Sequence, residues 1–184
     1  ELCINFLKEG TPKISFVSTK SHLNNNTYFA SKKVELSGKI TGWKLTDNLT
    51  VEGEMPAFAG TFDLDGHTMN INGDLNQPDG YVNVNGGTLN IDGAYNLYEE
   101  TVDSATGQPK KIGGGTLQMN NTTDVVNVKG DFVTYGYNGS SPLTAGTLNL
   151  YGNFEQIGDY GYFSSSGSFE PGEELCINFL KEGT

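Results

Sequence analysis

Residues 60–95 read GTFDLDGHTMNINGDLNQPDGYVNVNGGTLNIDGAY. Within this stretch Phe62-Asp63-Leu64, Met69-Asn70-Ile71, Val82-Asn83-Val84 and Leu89-Asn90-Ile91 share one pattern, and Leu49-Thr50-Val51 precedes them with the same pattern. Each segment is apolar, polar, apolar, with a glycine two residues after the second apolar residue. Strict alternation marks a strand with one buried face, because successive side chains point to opposite sides. The glycines Gly53, Gly66, Gly73, Gly86 and Gly93 alternate in steps of 13 and 7 residues. The sum, 13 + 7 = 20 residues, is too short for an independent domain. It suits one rung of a solenoid, which buries its apolar edge only against its neighbours.

One rung reads as three short strands: Val82–Val84, then Thr88–Ile91, then Tyr95 and Leu97, with bends at Gly86-Gly87 and Gly93. Glycine suits the bends because it accepts positive φ without a Cβ clash. The fold class expected is all-β, a parallel β-helix (β-solenoid), with rungs of about 20–22 residues spaced about 4.8 Å apart. The pattern predicts two internal columns, Met69/Leu89/Leu117/Leu148 and Ile71/Ile91/Met119/Leu150. It also predicts an outward ladder beside them: Thr61/Asp63/Asp65, Thr68/Asn70/Asn72, Thr88/Asn90/Asp92, Thr116/Gln118/Asn120 and Thr147/Asn149/Tyr151. Stacked amides of that kind hydrogen-bond along a cross-β axis.

The beginning and the end of the chain carry the same words. Residues 1–11 and 174–184 are both ELCINFLKEGT, an offset of 174 − 1 = 173 residues. The expectation is that 1–184 is a single β-solenoid unit, with 1–173 one period of a tandem array and 174–184 the start of the next. Matching tags are the alternative, but Leu2, Ile4 and Phe6 alternate as the solenoid strands do. At about 20–22 residues per rung, a period of 173 residues holds roughly eight rungs.

Composition sets the outer bounds. Hydrophobic residues make up 35% of 184, enough for one elongated domain. Net charge is −11, and every basic residue is a lysine. An acidic chain without arginine has no basic stripe to neutralise phosphates, which excludes nucleic acid as the expected partner. The same balance disfavours an anionic membrane surface, and no apolar run is long enough to insert as a spanning helix. No leader segment is visible.

Outside the central stretch the rhythm is looser. Leu2–Phe6, Ile14–Phe16 and Val34–Leu36 alternate, and Ser21–Thr27 is a polar loop. Trp43 is expected to plug the core rather than to stack on a sugar. Residues 98–113 interrupt the period. Tyr98–Val102 and Lys110–Ile112 are expected to pair as a hairpin across the turn-rich residues 103–109. The hairpin residues Tyr98, Glu99, Glu100, Lys110 and Lys111 form a candidate ligand or lateral-contact loop, and 135–141 a second loop. The rhythm returns at Thr116–Met119, Val126–Val128 and Thr147–Leu150, and Gly152-Asn153-Phe154 matches Gly73-Asp74-Leu75.

The chain is poor in chemistry. Asp63, Asp65, Asp74 and Asp79 hint at calcium, but His67 stands where the twelve-residue loop needs an oxygen ligand. His22 and His67 are isolated, with no zinc spacing. Glu99 and Glu100 are neighbours on a strand and point to opposite faces, a poor acid/base pair. No cofactor, no metal and no enzymatic activity are expected, and a polysaccharide-degrading β-helix is the weakest alternative. Cys3 and Cys176 occupy equivalent positions and face outward by the alternation. They are candidates for an intermolecular cross-link, or simply small, partly covered residues.

The phrases GGTLNIDGAYN, TAGTLNLYGNFEQ and HTMNINGDLNQ resemble the repeats of large bacterial surface proteins with a right-handed parallel β-helix, the filamentous-haemagglutinin-like adhesins. The resemblance spans roughly 49–156 and implies secretion to the cell surface, an elongated rod, and a role in adhesion or fibre building. The function expected is a structural subunit of an extracellular bacterial fibre or stalk. Its partner is itself, head to tail. The stacking interface would use Leu2, Cys3, Ile4 and Phe6 at one end and Leu175, Cys176, Ile177 and Phe179 at the other. The alternative is an adhesin stalk whose loops bind glycans or a host surface.

Overall fold

The structure, a computed structural model, describes residues 2–4, 13–16, 27–29, 32–38, 40–55, 58–135, 143–157 and 171–181, with side chains from Trp43 onward except at position 59. These residues form strands and connections, with no helix among them. In chain order the strands begin with β1 (Leu2–Ile4), β2 (Lys13–Phe16), β3 (Thr27–Phe29), β4 (Lys32–Gly38), β5 (Ile40–Lys44) and β6 (Leu49–Val51). The middle holds β7 (Phe58–Asp63), β8 (Thr68–Ile71), β9 (Leu75–Asn76), β10 (Tyr81–Asn83), β11 (Thr88–Ile91), β12 (Tyr95–Val102) and β13 (Pro109–Gly113). The last part holds β14 (Thr116–Gln118), β15 (Val125–Val128), β16 (Phe132–Tyr135), β17 (Ala145–Leu150), β18 (Phe154–Ile157) and β19 (Glu174–Phe179).

The protein is all-β and its sheets are open and parallel. An eight-stranded sheet runs β19-β17-β15-β11-β8-β6-β4-β2, a four-stranded sheet runs β14-β10-β7-β5, and a five-stranded sheet holds β13-β12-β16-β18 with β9 on β12. A separate pair, β1-β3, lies beside β5. The strands visit the sheets in turn: β7, β8, β9, then β10, β11, β12, then β14, β15, β16. That order is compatible with a β-solenoid. The only antiparallel pair among the described strands is β12 with β13, and it is the hairpin foreseen at 98–113: Tyr98 opposes Gly113 and Val102 opposes Pro109.

Registers show which residues stack. Leu49, Met69, Leu89, Val126, Leu148 and Ile177 form one column, and Val51, Ile71, Ile91, Val128, Leu150 and Phe179 the next. Leu117 and Met119, expected in these columns, are elsewhere: Leu117 pairs with Val82 and Met119 with Leu143. The hairpin explains the displacement. After it, Gly114 and Gly115 bring the chain close against Tyr98 and Gln77, so Thr116–Gln118 joins the four-stranded sheet instead. Val126-Asn127-Val128 then takes the vacant place. Leu49, Leu89, Val126 and Leu148 are all fully buried. Each such side chain contributes about 1.5–3 kcal/mol by leaving water.

The glycine corners divide into two kinds. At Asp65-Gly66 and Asn85-Gly86 both residues have positive φ, and His67 N–H and Gly87 N–H donate to the carbonyls of Leu64 and Val84. These are type I′ turns, for which Asp-Gly and Asn-Gly are the favoured pairs. Gly73, Gly93, Gly130 and Gly152 are needed for a different reason. They stack on one another, and a Cβ on Gly93 would lie 2.7 Å from the Gly73 carbonyl carbon. The expectation that positive φ selects glycine at every bend is therefore right for the first kind and wrong for the second, where close approach does so.

Trp43 is buried and sits edge-on to Phe62 with ring centroids 4.4 Å apart. It is the core plug anticipated from its sequence context.

Candidate functional site

Three features stand out on this scaffold: an amide ladder, a hairpin, and the terminal strand. The ladder follows from the outward position of each middle residue in the apolar-polar-apolar segments. Asn70 donates to the Thr50 hydroxyl at 3.2 Å and Asn90 to Asn70 at 2.8 Å. Asn127 donates to Asn90, Asn149 to Asn127 and Asn178 to Asn149, at 2.7, 2.7 and 2.8 Å. Every amide between the ends donates one way and accepts the other, so the ladder has a direction. Gln118 and Asp63, foreseen as members, are not in it. Gln118 sits in the four-stranded sheet, and Asp63 accepts from Asn85 Nδ2 at 3.0 Å. A shorter ladder on the five-stranded side joins Glu54, Asn76 and Asn96, each step 2.8 Å.

A groove of about 820 Å³ follows the long ladder, lined by Asn70, Asn90 and Asn127 and flanked by Asp92, Lys129 and Tyr151. Lys129 is paired with Asp92 at 2.6 Å. Tyr151 is half exposed. The groove thus offers neutral amides and an aromatic ring, with its local charges matched.

The carboxylates that hinted at calcium have protein partners. Asp65 pairs with Lys44 at 2.9 Å, Asp63 also accepts from the Asp65 N–H, Asp74 accepts from the Ala94 N–H, and Asp79 from the Gly80 N–H. Asp131 accepts from the Asn153 N–H, and this bond, helped by Lys181, holds its carboxyl below the ordinary value. Among the described residues no group of three or more His, Cys, Asp or Glu is placed to hold a metal ion.

On the hairpin, Lys111 Nζ lies 4.4 Å from the Tyr98 ring centre, and Glu100 opposes Lys111 across the pair. Glu99 opposes Ile112, and Lys110 opposes Thr101. The hairpin turn is capped by Asp103, which accepts from the backbone N–H groups of Ala105 and Thr106. Those two bonds lower its pKa. Glu99, Glu100 and Lys110 are exposed. The second expected loop, 135–141, lies outside the described residues except for Tyr135.

The terminal strand β19 closes one edge of the eight-stranded sheet. It pairs with β17 over six residues, from Ala145 opposite Glu174 to Leu150 opposite Phe179. Leu175 and Ile177 pack on the core, while Phe179 is 66% exposed and continues the aromatic row Phe132, Phe154, Phe179. Cys176 is exposed and its thiol is free. The identical first copy is paired differently: Leu2, Cys3 and Ile4 oppose Thr27, Tyr28 and Phe29 in a two-stranded sheet. Phe6 lies outside the described residues.

Sequence reasoning passed over two buried polar residues that organise these features. Gln77, fully buried, donates to the carbonyls of Gly80 and Thr116 and accepts the Tyr95 hydroxyl at 2.6 Å. Asp124, also fully buried, accepts from the N–H groups of Gly86, Asn120 and Asn121. A lone Gln or Asp between turn formers gives no periodic signal, which is why both were missed. No family profile, curated protein or solved structure matches the chain.

Proposed function

We propose that this chain is a structural repeat of an extracellular bacterial β-solenoid fibre or stalk, joined end to end by continuous strand pairing. The single observation that carries the reading is β19. A segment identical to the start of the sequence closes the eight-stranded parallel sheet, and among the described residues no strand pairs with its outer edge and Phe179 is exposed. An unprotected strand edge is a template for further pairing. A contact between different ends of identical units does not close on itself, so it grows filaments. The solenoid coils would be about 20 residues each, as the 20-residue spacing of the ladder from Asn70 to Asn90 supports. The likeness to filamentous-haemagglutinin-type repeats points the same way.

Ile177→Lys tests this reading, because it places a charge in the exposed end while leaving the interior column from Leu49 to Leu148 intact. The native chain should show concentration-dependent elongated species in sedimentation velocity, and the variant should stay monomeric. A native chain that remains a compact monomer at every concentration overturns the fibre.

The groove along the amide ladder favours a second reading, an adhesin stalk that holds an uncharged glycan. Neutral amides with a flanking tyrosine suit hydroxyl groups and a sugar face. A glycan array would register specific hits that Tyr151→Ala weakens. Absence of any hit removes this reading.

A further inference from the structure

The described strands of the two copies of ELCINFLKEGT, Leu2–Ile4 and Glu174–Phe179, sit in different sheets. The second copy, β19, pairs on one side with β17 and exposes its other edge. The first copy, β1, pairs with β3 in the register Leu2 to Thr27, Cys3 to Tyr28 and Ile4 to Phe29. Because the two sequences are identical, we infer that β19 takes the place of residues 2–4 of the following repeat and pairs through its outer edge with that repeat's residues 27–29, Leu175 opposite Thr27, Cys176 opposite Tyr28 and Ile177 opposite Phe29. The inference rests on the solenoid reading above and names the partner strand and register at that site.

The junction has a geometric consequence. The strand β3 lies beside β5, an edge strand of the four-stranded sheet. So the eight-stranded sheet of one repeat continues, through β19 and β3, into the four-stranded sheet of the next. Each repeat is turned by one face, a third of a turn, relative to its predecessor. From β2 to β19 the eight-stranded sheet makes seven steps. The strand β1 precedes β2 by one face, so a repeat advances about seven and one-third turns, or about 35 Å at about 4.8 Å per turn. Three repeats, about 106 Å, bring the faces back into coincidence. The hairpin at 98–113 is then presented on all three sides of the fibre in succession, rather than in a single row.

A rival junction is equally explicit. If the faces were kept, β19 would meet β2, the opposite edge of its own sheet, and matching the alternation of Ile14-Ser15-Phe16 to that of Leu175-Cys176-Ile177 would set position 15 rather than position 28 beside Cys176. Paired strands put Cα atoms within disulfide range. The test uses the full 184-residue chain with Cys3→Ser, combined either with Tyr28→Cys or with Ser15→Cys, under mild oxidation. The Tyr28→Cys protein should shift most of the chain into a disulfide-linked ladder on a non-reducing gel, with the new bond mapped to positions 28 and 176, and the Ser15→Cys protein should stay largely unlinked. A ladder from Ser15→Cys alone overturns the one-face rotation but leaves the fibre standing. Unlinked monomers from both, with native chain that also stays monomeric, overturn the fibre reading itself. A measurement on the unmodified protein stands beside it: filaments should show a true axial repeat of three periods, and a repeat of one period contradicts the inference.

Discussion

Gly93 and Gly66 look alike in sequence, each two residues past an apolar-polar-apolar segment, yet their replacement should cost different amounts. At Gly66, φ is +82° and no atom lies within 4 Å of an added Cβ. Gly66→Ala should therefore cost only the left-handed penalty, about 1–2 kcal/mol. At Gly93 the Cβ would meet the Asp74 carboxylate and the backbone of Gly73 and Asp74. Gly93→Ala should cost about 3 kcal/mol or more by overpacking, and urea unfolding of the two variants checks the order. Tyr95 makes a second residue-scale prediction. Burial raises its hydroxyl pKa well above 10.0, so the native state keeps a proton that the unfolded chain releases. Its contribution is whole below about pH 10 and is lost as pH climbs from there toward the folded value. Tyr95→Phe should remove that part of the alkaline slope. At neutral pH it should cost about 1–3 kcal/mol, because Gln77 Oε1 loses its buried donor. Equal urea midpoints for the two proteins at neutral pH would contradict the assignment.

At the scale of elements, the corner at 120–124 does what a type I′ turn does at 64–67 and 84–87, with a buried carboxylate in place of a glycine. Asp124→Ala would leave three part-buried backbone N–H groups without their acceptor and should cost about 1–3 kcal/mol, measurable as a lowered midpoint of thermal unfolding. Loss of less than about 1 kcal/mol would mean that water reaches the corner. The central strands were legible from the sequence because their alternation has period two and their corners repeat Gly at fixed steps. The match of Gly73-Asp74-Leu75 with Gly152-Asn153-Phe154 was equally legible, since Leu75, Tyr95, Phe132 and Phe154 do pair in one row. The placement of 116–119 was not. Thr-Leu-Gln-Met imitates Thr-Leu-Asn-Ile residue for residue, and only the hairpin before it, with Gly114 pressed against Tyr98 and Gly115 against Gln77, decides which sheet it joins. The amide ladder was half legible: the type of residue was plain, but the membership of Asn127 and Asn178 depended on register.

For the whole molecule, the pieces act in one direction along one axis. Parallel pairing, the interior columns ending at Ile177 and Phe179, and the directional amide ladder ending at Asn178 all run toward the same open strand. The strand at 174–179 was readable because Leu175, Ile177 and Phe179 alternate like every other core strand. The difference in pairing between the two copies was not readable, since identical residues cannot show that one copy pairs with β3 and the other with β17. The account's central claim is that such units continue through one another as a single coil. Cryo-electron microscopy of the native protein tests it most directly, through the power spectrum of the particles. The account predicts filaments with an axial layer line near 4.8 Å. Discrete short particles with no axial repeat would contradict it.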